Sequence, residues 1–206
     1  MNEPEIIGED KFIKIKRTLD KLKLSNKLDY VSIGINLYPE IKNMNYIFEI
    51  AREYFKDHIR CSFVAPTCKY TTTDKDKYYN EAKPIFLKCV ELAEKYQITL
   101  ELDCNHIPEC YFTEEELTLV KKYTYREHKK CSPVVDITPQ LTATSCFGTY
   151  DPVNILDFDN LAELTKFLQE NKMDKLKEKN NTGKCKDCEE FLNDKCQGGC
   201  LAFAKN

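Results

Sequence analysis

Four cysteines lie within the last 22 residues of the sequence, in the order C-x2-C-x7-C-x3-C. They are Cys185, Cys188, Cys196 and Cys200, and the last two enclose a glutamine and two glycines. Thiolates bind soft metals, and glycine lets the backbone wrap closely around an inorganic centre. The stretch 182–193 has little apolar surface of its own, so we expect it to be disordered without metal. The spacing therefore predicts a metal site in preference to a disulfide knot or a set of idle thiols.

The composition favours reduced thiols. The chain has 11 cysteines in 206 residues, an odd number that fits poorly with a fully paired disulfide framework. The sequence begins without a basic segment or an apolar run, so we expect no secretory signal. No apolar run approaches the roughly 20 residues of a membrane-spanning helix. We therefore expect a cytoplasmic protein that does not associate with membranes, and a net charge of −3 gives no electrostatic reason to bind nucleic acid.

The elements that must position these cysteines begin with a region of alternating strands and helices, which we place at 1–125. Strand patterns occur at 30–37, 58–65 and 97–103, and amphipathic helix patterns at 12–22, 45–56 and 77–96. Strands separated by helices predict an α/β fold with parallel β/α units and right-handed crossovers. Thr113, followed by three glutamates, predicts a capped helix that ends at Tyr123.

The region 126–206 has a different character and is predicted to be a small cysteine-rich metal-binding domain. Residues 134–146 contain two short β-prone arms around a Pro-Gln-Leu turn, which predicts a hairpin. Asp159 or Asn160 is the expected cap of the next helix. The charged and polar stretch 172–184 is predicted to be a linker that leads to the cysteine cluster.

The cysteine pattern resembles the SPASM region that follows the catalytic barrel of many radical SAM enzymes, chiefly peptide and protein maturases. The resemblance is carried by Cys131-x9-Leu141-x4-Cys146, a gap, and Cys185-x2-Cys188-x7-Cys196-x3-Cys200. The three predicted β/α units are similar to the second half of that family's partial barrel, so the resemblance implies a half barrel over 1–125. The family has a glycine at the position of Leu141, and we expect a weaker hairpin turn here.

The resemblance also implies how the cysteines divide between two auxiliary 4Fe-4S clusters. The first would use Cys131, Cys146 and Cys200, and the second would use Cys185, Cys188 and Cys196. No cysteine follows Cys200 in this sequence, so the second cluster is expected to lack a ligand or to be remodelled. The family's additional ligand to the first cluster falls near Tyr125, and the available substitutes are Cys104 and Cys110.

Zinc is the alternative metal, because four thiolates satisfy a tetrahedral zinc ion as readily as an iron–sulfur cluster. A mononuclear zinc site would use the four cysteines of the final segment and would leave the spacing of Cys131 and Cys146 as a coincidence. His106 lies between two cysteines, but a loop histidine at a strand end is more simply a polar contact than a ligand. Cys61 and Cys89 lie within apolar patterns and are predicted to be small buried hydrophobes.

Two absences shape the functional expectation. Radical SAM chemistry, as that family performs it, needs a C-x3-C-x2-C loop to bind S-adenosylmethionine, and this sequence contains neither that triplet nor the first half of the barrel. We therefore predict no catalytic residue and no radical formation by this chain alone, with S-adenosylmethionine entering only through the missing half. Asp103, at the carboxyl end of the third predicted strand, is a candidate for orienting a substrate.

Two hypotheses about function follow. The first is an auxiliary-cluster and substrate-facing portion of a radical SAM maturase that acts on a peptide or protein. The second is a stand-alone metal-stabilised module that binds a peptide or protein without catalysis. The edge at 30–37 of an incomplete barrel predicts pairing with a chain that carries the missing half, or with a second copy of this chain.

Overall fold

The structure is a computed structural model that describes residues 9–38, 41, 43–54, 56–64, 74–103, 107–125 and 130–205. The chain forms two compact units. We call Met1–Val64 with Lys77–Glu127 the β/α unit, and Ala65–Asp76 with His128–Asn206 the cysteine-rich unit. None of the described helices is both long enough and apolar enough to cross a bilayer.

A parallel sheet of four strands, in the order β1-β2-β3-β4, forms the centre of the β/α unit. The strands are β1 Ile33–Leu37, β2 His58–Phe63, β3 Thr99–Leu102 and β4 Thr124–Tyr125. The predicted α/β class and the parallel pairing of the first three strands are confirmed. The short β4, which pairs with β3, was missed because two residues are too few to show a strand period.

Among the described residues, four helices accompany this sheet: α1 Glu9–Leu24, α2 Asn45–Glu53, α3 Lys75–Tyr96 and α4 Glu114–Tyr123. The predicted cap of α4 is confirmed. The Thr113 hydroxyl accepts a hydrogen bond from the Glu116 N–H at 3.2 Å, and the Glu116 carboxylate accepts one from the Thr113 N–H at 2.8 Å. This reciprocal pair satisfies two of the N–H groups that a helix start leaves without intrahelical partners.

Alternation along the strands divides the sheet into two faces. Along β1 the residues at 33, 35 and 37 are buried, while those at 34 and 36 are exposed. The buried face continues through Ile59, Cys61 and Phe63 of β2, and the Phe63 ring lies 5.7 Å from that of Phe86 on α3. The apolar core of this unit therefore lies on one side of the sheet, as the period of two along each strand requires.

The cysteine-rich unit contains a small antiparallel sheet in the order β5-β6-β7, with strands Asp136–Ile137, Thr142–Thr144 and Val153–Asn154. The predicted hairpin is β5 paired with β6. Its helices are α5 Leu161–Leu168, α6 Asp174–Lys179 and α7 Glu189–Leu192. Of the two predicted caps, Asn160 begins α5, since its side-chain oxygen accepts a hydrogen bond from the Glu163 N–H at 3.0 Å.

The predicted linker at 172–184 is wrong over its first half. The chain passes from α5 through a π-helical turn, Gln169–Met173, directly into α6. Met173 is buried and Leu176 is half-buried, so this segment has an inward face despite its many charges. Lysines and glutamates on the outward face of a helix are solvated, and their abundance alone does not indicate an irregular segment.

Candidate metal centre

Six cysteines of the cysteine-rich unit were predicted as metal ligands, and four of them lie at or beside the end of a short helix or 3-10 turn. Cys131 precedes β5, and Cys146 immediately precedes the 3-10 turn Phe147–Thr149. Cys185 ends a second 3-10 turn, Gly183–Cys185, and Cys188 immediately precedes α7. The remaining two, Cys196 and Cys200, flank the Gln-Gly-Gly loop, and a 3-10 turn Leu201–Lys205 follows. All six are half-buried, and none of them forms a disulfide.

The first group of thiols is Cys185, Cys188 and Cys196, which we call the loop group. Burial raises the pKa of the Cys185 thiol, and the Lys75 ammonium, 3.7 Å from its sulfur, partly offsets that rise. The thiols of Cys196 and Cys188 raise this pKa further, so the three lie close enough to interact electrostatically. Cys185 therefore lies within electrostatic range of the other two thiols of the loop group.

The second group is Cys131, Cys146 and Cys200, which we call the hairpin group. The Val134 N–H donates to the Ser145 carbonyl at 3.0 Å and so holds the segments after Cys131 and before Cys146 side by side. The 3-10 turn after Cys146 contacts the 3-10 turn after Cys200. These contacts bring the three segments that carry the hairpin group to one region of the unit.

N–H groups donate to four of the six sulfurs. The backbone N–H of Gly148 donates to Cys146 and that of Gly198 donates to Cys196, each over 3.3 Å. The Gln197 side-chain amide donates to Cys131 over 2.8 Å, and the Lys75 ammonium donates to Cys185. Hydrogen bonds to the sulfur atoms orient and tune metal-bound cysteines.

Glycine geometry shapes the loop between Cys196 and Cys200. Gly198 and Gly199 have φ of 76° and 94°, in the left-handed region that favours glycine. A Cβ atom on Gly198 would lie 3.0 Å from the Asn180 side-chain nitrogen and 3.1 Å from the Cys185 sulfur. The predicted role of the glycines therefore has a local reason, because the loop backbone closely approaches a thiol of the loop group.

The described residues contain no group of three or more His, Cys, Asp or Glu side chains placed so that it could hold a metal ion. What fits a metal is the chemistry of the donor set, which consists of soft thiols with N–H groups directed at their sulfurs. None of the cysteines in the described part of the chain forms a disulfide. The six named cysteines would hold the metal, and the same donors suit zinc or an iron–sulfur cluster.

Four other cysteines and His106 were also the subject of predictions from the sequence. Cys61 and Cys89 are buried in the β/α unit, as predicted, and burial together with their mutual contact raises the pKa of Cys61. Cys110 is exposed in a 3-10 turn of the same unit. Both Cys104 and His106 lie outside the described residues, so their predicted roles stay predictions.

The sheet of the β/α unit has an open polar face. Its exposed or half-buried positions form one row across Gly34, Arg60, Glu101 and Tyr125, and a second row that includes Asn36 and Ser62. The Ser62 hydroxyl donates to the Asn36 side-chain oxygen at 2.8 Å, and Arg60 forms an ion pair with Asp103. Parallel sheets are ordinarily covered on both faces, so a polar face of this kind is suited to lining a binding surface.

Sequence reasoning missed three polar residues around the thiols, namely Lys75, Asn180 and Gln197. Asn180 and Gln197 are 3% and 4% exposed, and burial of a side-chain amide cannot be inferred from local sequence. The position of Gln197 between two candidate ligands was the only available signal. Comparisons of the chain with models of protein families, with curated proteins and with solved structures found no match.

Proposed function

We propose that this chain is the auxiliary-cluster and substrate-facing portion of a radical SAM maturase that acts on a peptide or protein. The observation that carries the proposal is six half-buried cysteines in one unit, with N–H donors directed at four of their sulfurs. That arrangement supports thiolate ligation, and the cysteine order supports the SPASM-like assignment of 126–206. Reduced thiols also suit a cytoplasmic location.

The β/α unit would supply the substrate-facing wall. Its parallel strands with helices are compatible with part of a β/α barrel, and its open polar face ends at Asp103, near the carboxyl edge where barrel enzymes mount functional groups. Amide, hydroxyl and paired charged groups on that face suit the polar backbone of a peptide. A chain with the missing barrel half, or a second copy, would pair beside β1, the edge of the described sheet.

The alternative is a stand-alone metal-stabilised module that binds a peptide or protein without catalysis. The observation that favours it is the absence of any C-x3-C-x2-C triplet from the sequence. In this case zinc or an iron–sulfur cluster would act only to fold the cysteine-rich unit, because metal ligation can supply the folding free energy of a small domain.

Anaerobic reconstitution with iron and sulfide tests the metal. We expect iron and sulfide in ratios typical of 4Fe-4S clusters, with matching absorption and electron paramagnetic resonance signals, and little zinc. Cys188→Ser should lower the iron content, whereas Cys89→Ala, which removes a buried thiol of the β/α unit, should not. Stoichiometric zinc without iron would favour the stand-alone module. The absence of any bound metal would refute both proposed functions.

Cleavage of S-adenosylmethionine separates the two functions. With reductant, the reconstituted chain alone should produce no 5′-deoxyadenosine, because no three-thiolate loop is present to bind the cofactor. Addition of a polypeptide that carries a C-x3-C-x2-C loop and the missing strands should restore cleavage if the chain is part of a maturase. Cleavage by the chain alone, above a Cys131→Ala/Cys188→Ala control, would overturn the prediction that it is not catalytic by itself.

A further inference from the structure

A buried carboxamide lies between the two groups of thiols. Gln197 is almost fully enclosed, and its side chain makes three hydrogen bonds. Its oxygen accepts from the Cys131 N–H at 2.7 Å, and its nitrogen donates to the Cys131 sulfur at 2.8 Å and to the Gly199 carbonyl at 3.0 Å. One amide therefore holds both the backbone and the thiol of a cysteine that lies 66 residues away in sequence.

The same loop is tied to the other thiol group by its main chain. The Asn180 side-chain nitrogen donates to the Gln197 carbonyl at 2.8 Å, and the Asn180 oxygen accepts from the Lys75 ammonium at 3.2 Å. Lys75 also donates to the Cys185 sulfur. A continuous hydrogen-bonded chain thus runs from a thiol of the loop group to a thiol of the hairpin group.

Both amides of this hydrogen-bond network, Asn180 and Gln197, are buried. A buried amide that loses a partner carries a desolvation cost, so a satisfied network favours one arrangement of the loop over others. An ion pair between Lys130 and Asp194 reinforces the link, because it joins the residue before Cys131 to the segment between Cys188 and Cys196. The position of Cys131 therefore depends on the fold of the loop that carries the other group.

We infer that Gln197 is a positioning residue through which the folded loop group orders Cys131, so that occupancy of the hairpin group depends on the loop group. The inference rests on the proposed metal binding. It predicts an asymmetry. Disruption of Gln197 should weaken the hairpin group alone, whereas disruption of the loop group should weaken both.

The test is Gln197→Glu, which keeps the shape of the side chain but removes the donors to the Cys131 sulfur and to Gly199. Loss of an outer-shell partner typically lowers metal affinity by roughly 10–100-fold, and we expect a loss of that size at the hairpin group. The matched control is Gln140→Glu, which makes the same charge change at an exposed position of the hairpin turn. Gln197→Asn, whose shorter side chain withdraws the amide from Cys131, is the second variant should the first fail to fold.

The readouts are chelator competition and the alkylation of each cysteine, measured by mass spectrometry on the reconstituted full chain. In Gln197→Glu, Cys131 should become reactive while Cys188 stays protected, and Cys188→Ser should expose both groups. A merely structural role would expose both groups in Gln197→Glu as well, and would overturn the inference. Unchanged affinity, or a reactive Cys131 in the metal-loaded parent, would overturn it while leaving metal binding intact. A parent without metal would refute the proposed function and this inference together.

Discussion

The two units of this protein are stabilised by different means. The β/α unit buries large apolar side chains of consecutive strands. The cysteine-rich unit buries a small cluster of Ala143, Leu164 and Leu168 with partly buried neighbours, and it also buries Met173, Phe191, Leu201 and Phe203. Five of the six buried polar residues in the described part of the chain belong to the cysteine-rich unit: Thr144, Ser145, Thr149, Asn180 and Gln197. Buried polar groups need partners, so buried hydrogen bonds contribute more to the cysteine-rich unit, and apolar packing contributes more to the β/α unit.

Removal of one cysteine thiolate should give the largest difference in stability between the two units. Cys188→Ser removes a proposed ligand, and Phe191, Leu201 and Phe203 alone cannot offset an ordering cost of about 1–2 kcal/mol per residue. Hydrogen exchange should show lost protection over 182–204 and an unchanged parallel sheet. Intact metal content and unchanged protection in this variant would contradict the assignment, and Cys89→Ala is the control for removal of a thiol elsewhere.

A core substitution in the β/α unit should destabilise that unit and leave metal binding by the cysteine-rich unit unchanged. Phe48 is fully buried and stacks on Tyr96 with ring centroids 5.8 Å apart, so Phe48→Ala should lower the free energy of unfolding by about 3–5 kcal/mol. Denaturant titration measures that loss, and the metal content of the folded fraction should not change. Ile13→Ala, at a partly exposed position of α1, should cost about 0.5 kcal/mol or less. A loss of metal in Phe48→Ala at full sheet content would show that the units are not stabilised separately.

An alanine in the glycine loop should crowd its neighbours and lower stability by an intermediate amount. Gly198→Ala places a methyl group against Asn180 and the Cys185 sulfur and forces a left-handed φ, so we expect a loss of about 1–3 kcal/mol and weaker metal binding. Gly183→Ala shares the left-handed φ, at 55°, but its methyl group would meet only the Asp76 carboxylate, at 3.9 Å. Thermal unfolding of the two variants therefore separates crowding from backbone strain. Equal losses would remove crowding as the cause.

The hairpin turn offers a smaller, stabilising change. Leu141 has a φ of 59°, in the left-handed region that favours glycine. Leu141→Gly should relieve that strain and raise the free energy of unfolding of the cysteine-rich unit by about 0.5 kcal/mol, the gain being limited by the greater freedom of glycine in the unfolded chain. Leu141→Ala keeps the strained backbone and should give no gain. Chemical denaturation compares the two, and a gain in both would point to the lost leucine side chain instead.

An acid titration should give the smallest effect. Lys130 and Lys177 lower the pKa of Asp194 to about 2, below its ordinary value of 3.8. A lowered folded-state pKa contributes stability that is fully present above pH 4 and is lost as the pH falls through about 2. The difference in stability between the parent and Asp194→Asn should therefore be constant at neutral pH and shrink in that window. Asp194 is exposed, so this difference in stability should be small. A difference that grows as the pH falls would contradict the assignment of stabilising ion pairs to Asp194.

The sequence predicted most of the β/α unit because its signals are local. The period-two patterns of 30–37 and 58–65 and the Thr113 cap depend on neighbours within one turn or one strand, and the structure has those elements with slightly different ends. The strand at 124–125 and the helix at 174–179 were missed or mistaken, since a two-residue strand has no period and a charged helix resembles a linker. The division near 125 was expected from composition, but Ala65–Asp76, which groups with the cysteine-rich unit, gave no such signal.

The sequence by itself determined which side chains carry soft-metal chemistry, because residue type and spacing fix the order of Cys131, Cys146 and the final four cysteines. Only the tertiary structure decided how those thiols are held. Lys75 donates to Cys185 across 110 residues of sequence, Asn180 donates to the Gln197 carbonyl across 17, and Gln197 donates to Cys131 across 66. Such hydrogen bonds depend on the tertiary fold to bring distant residues together, and no local sequence pattern encodes that proximity.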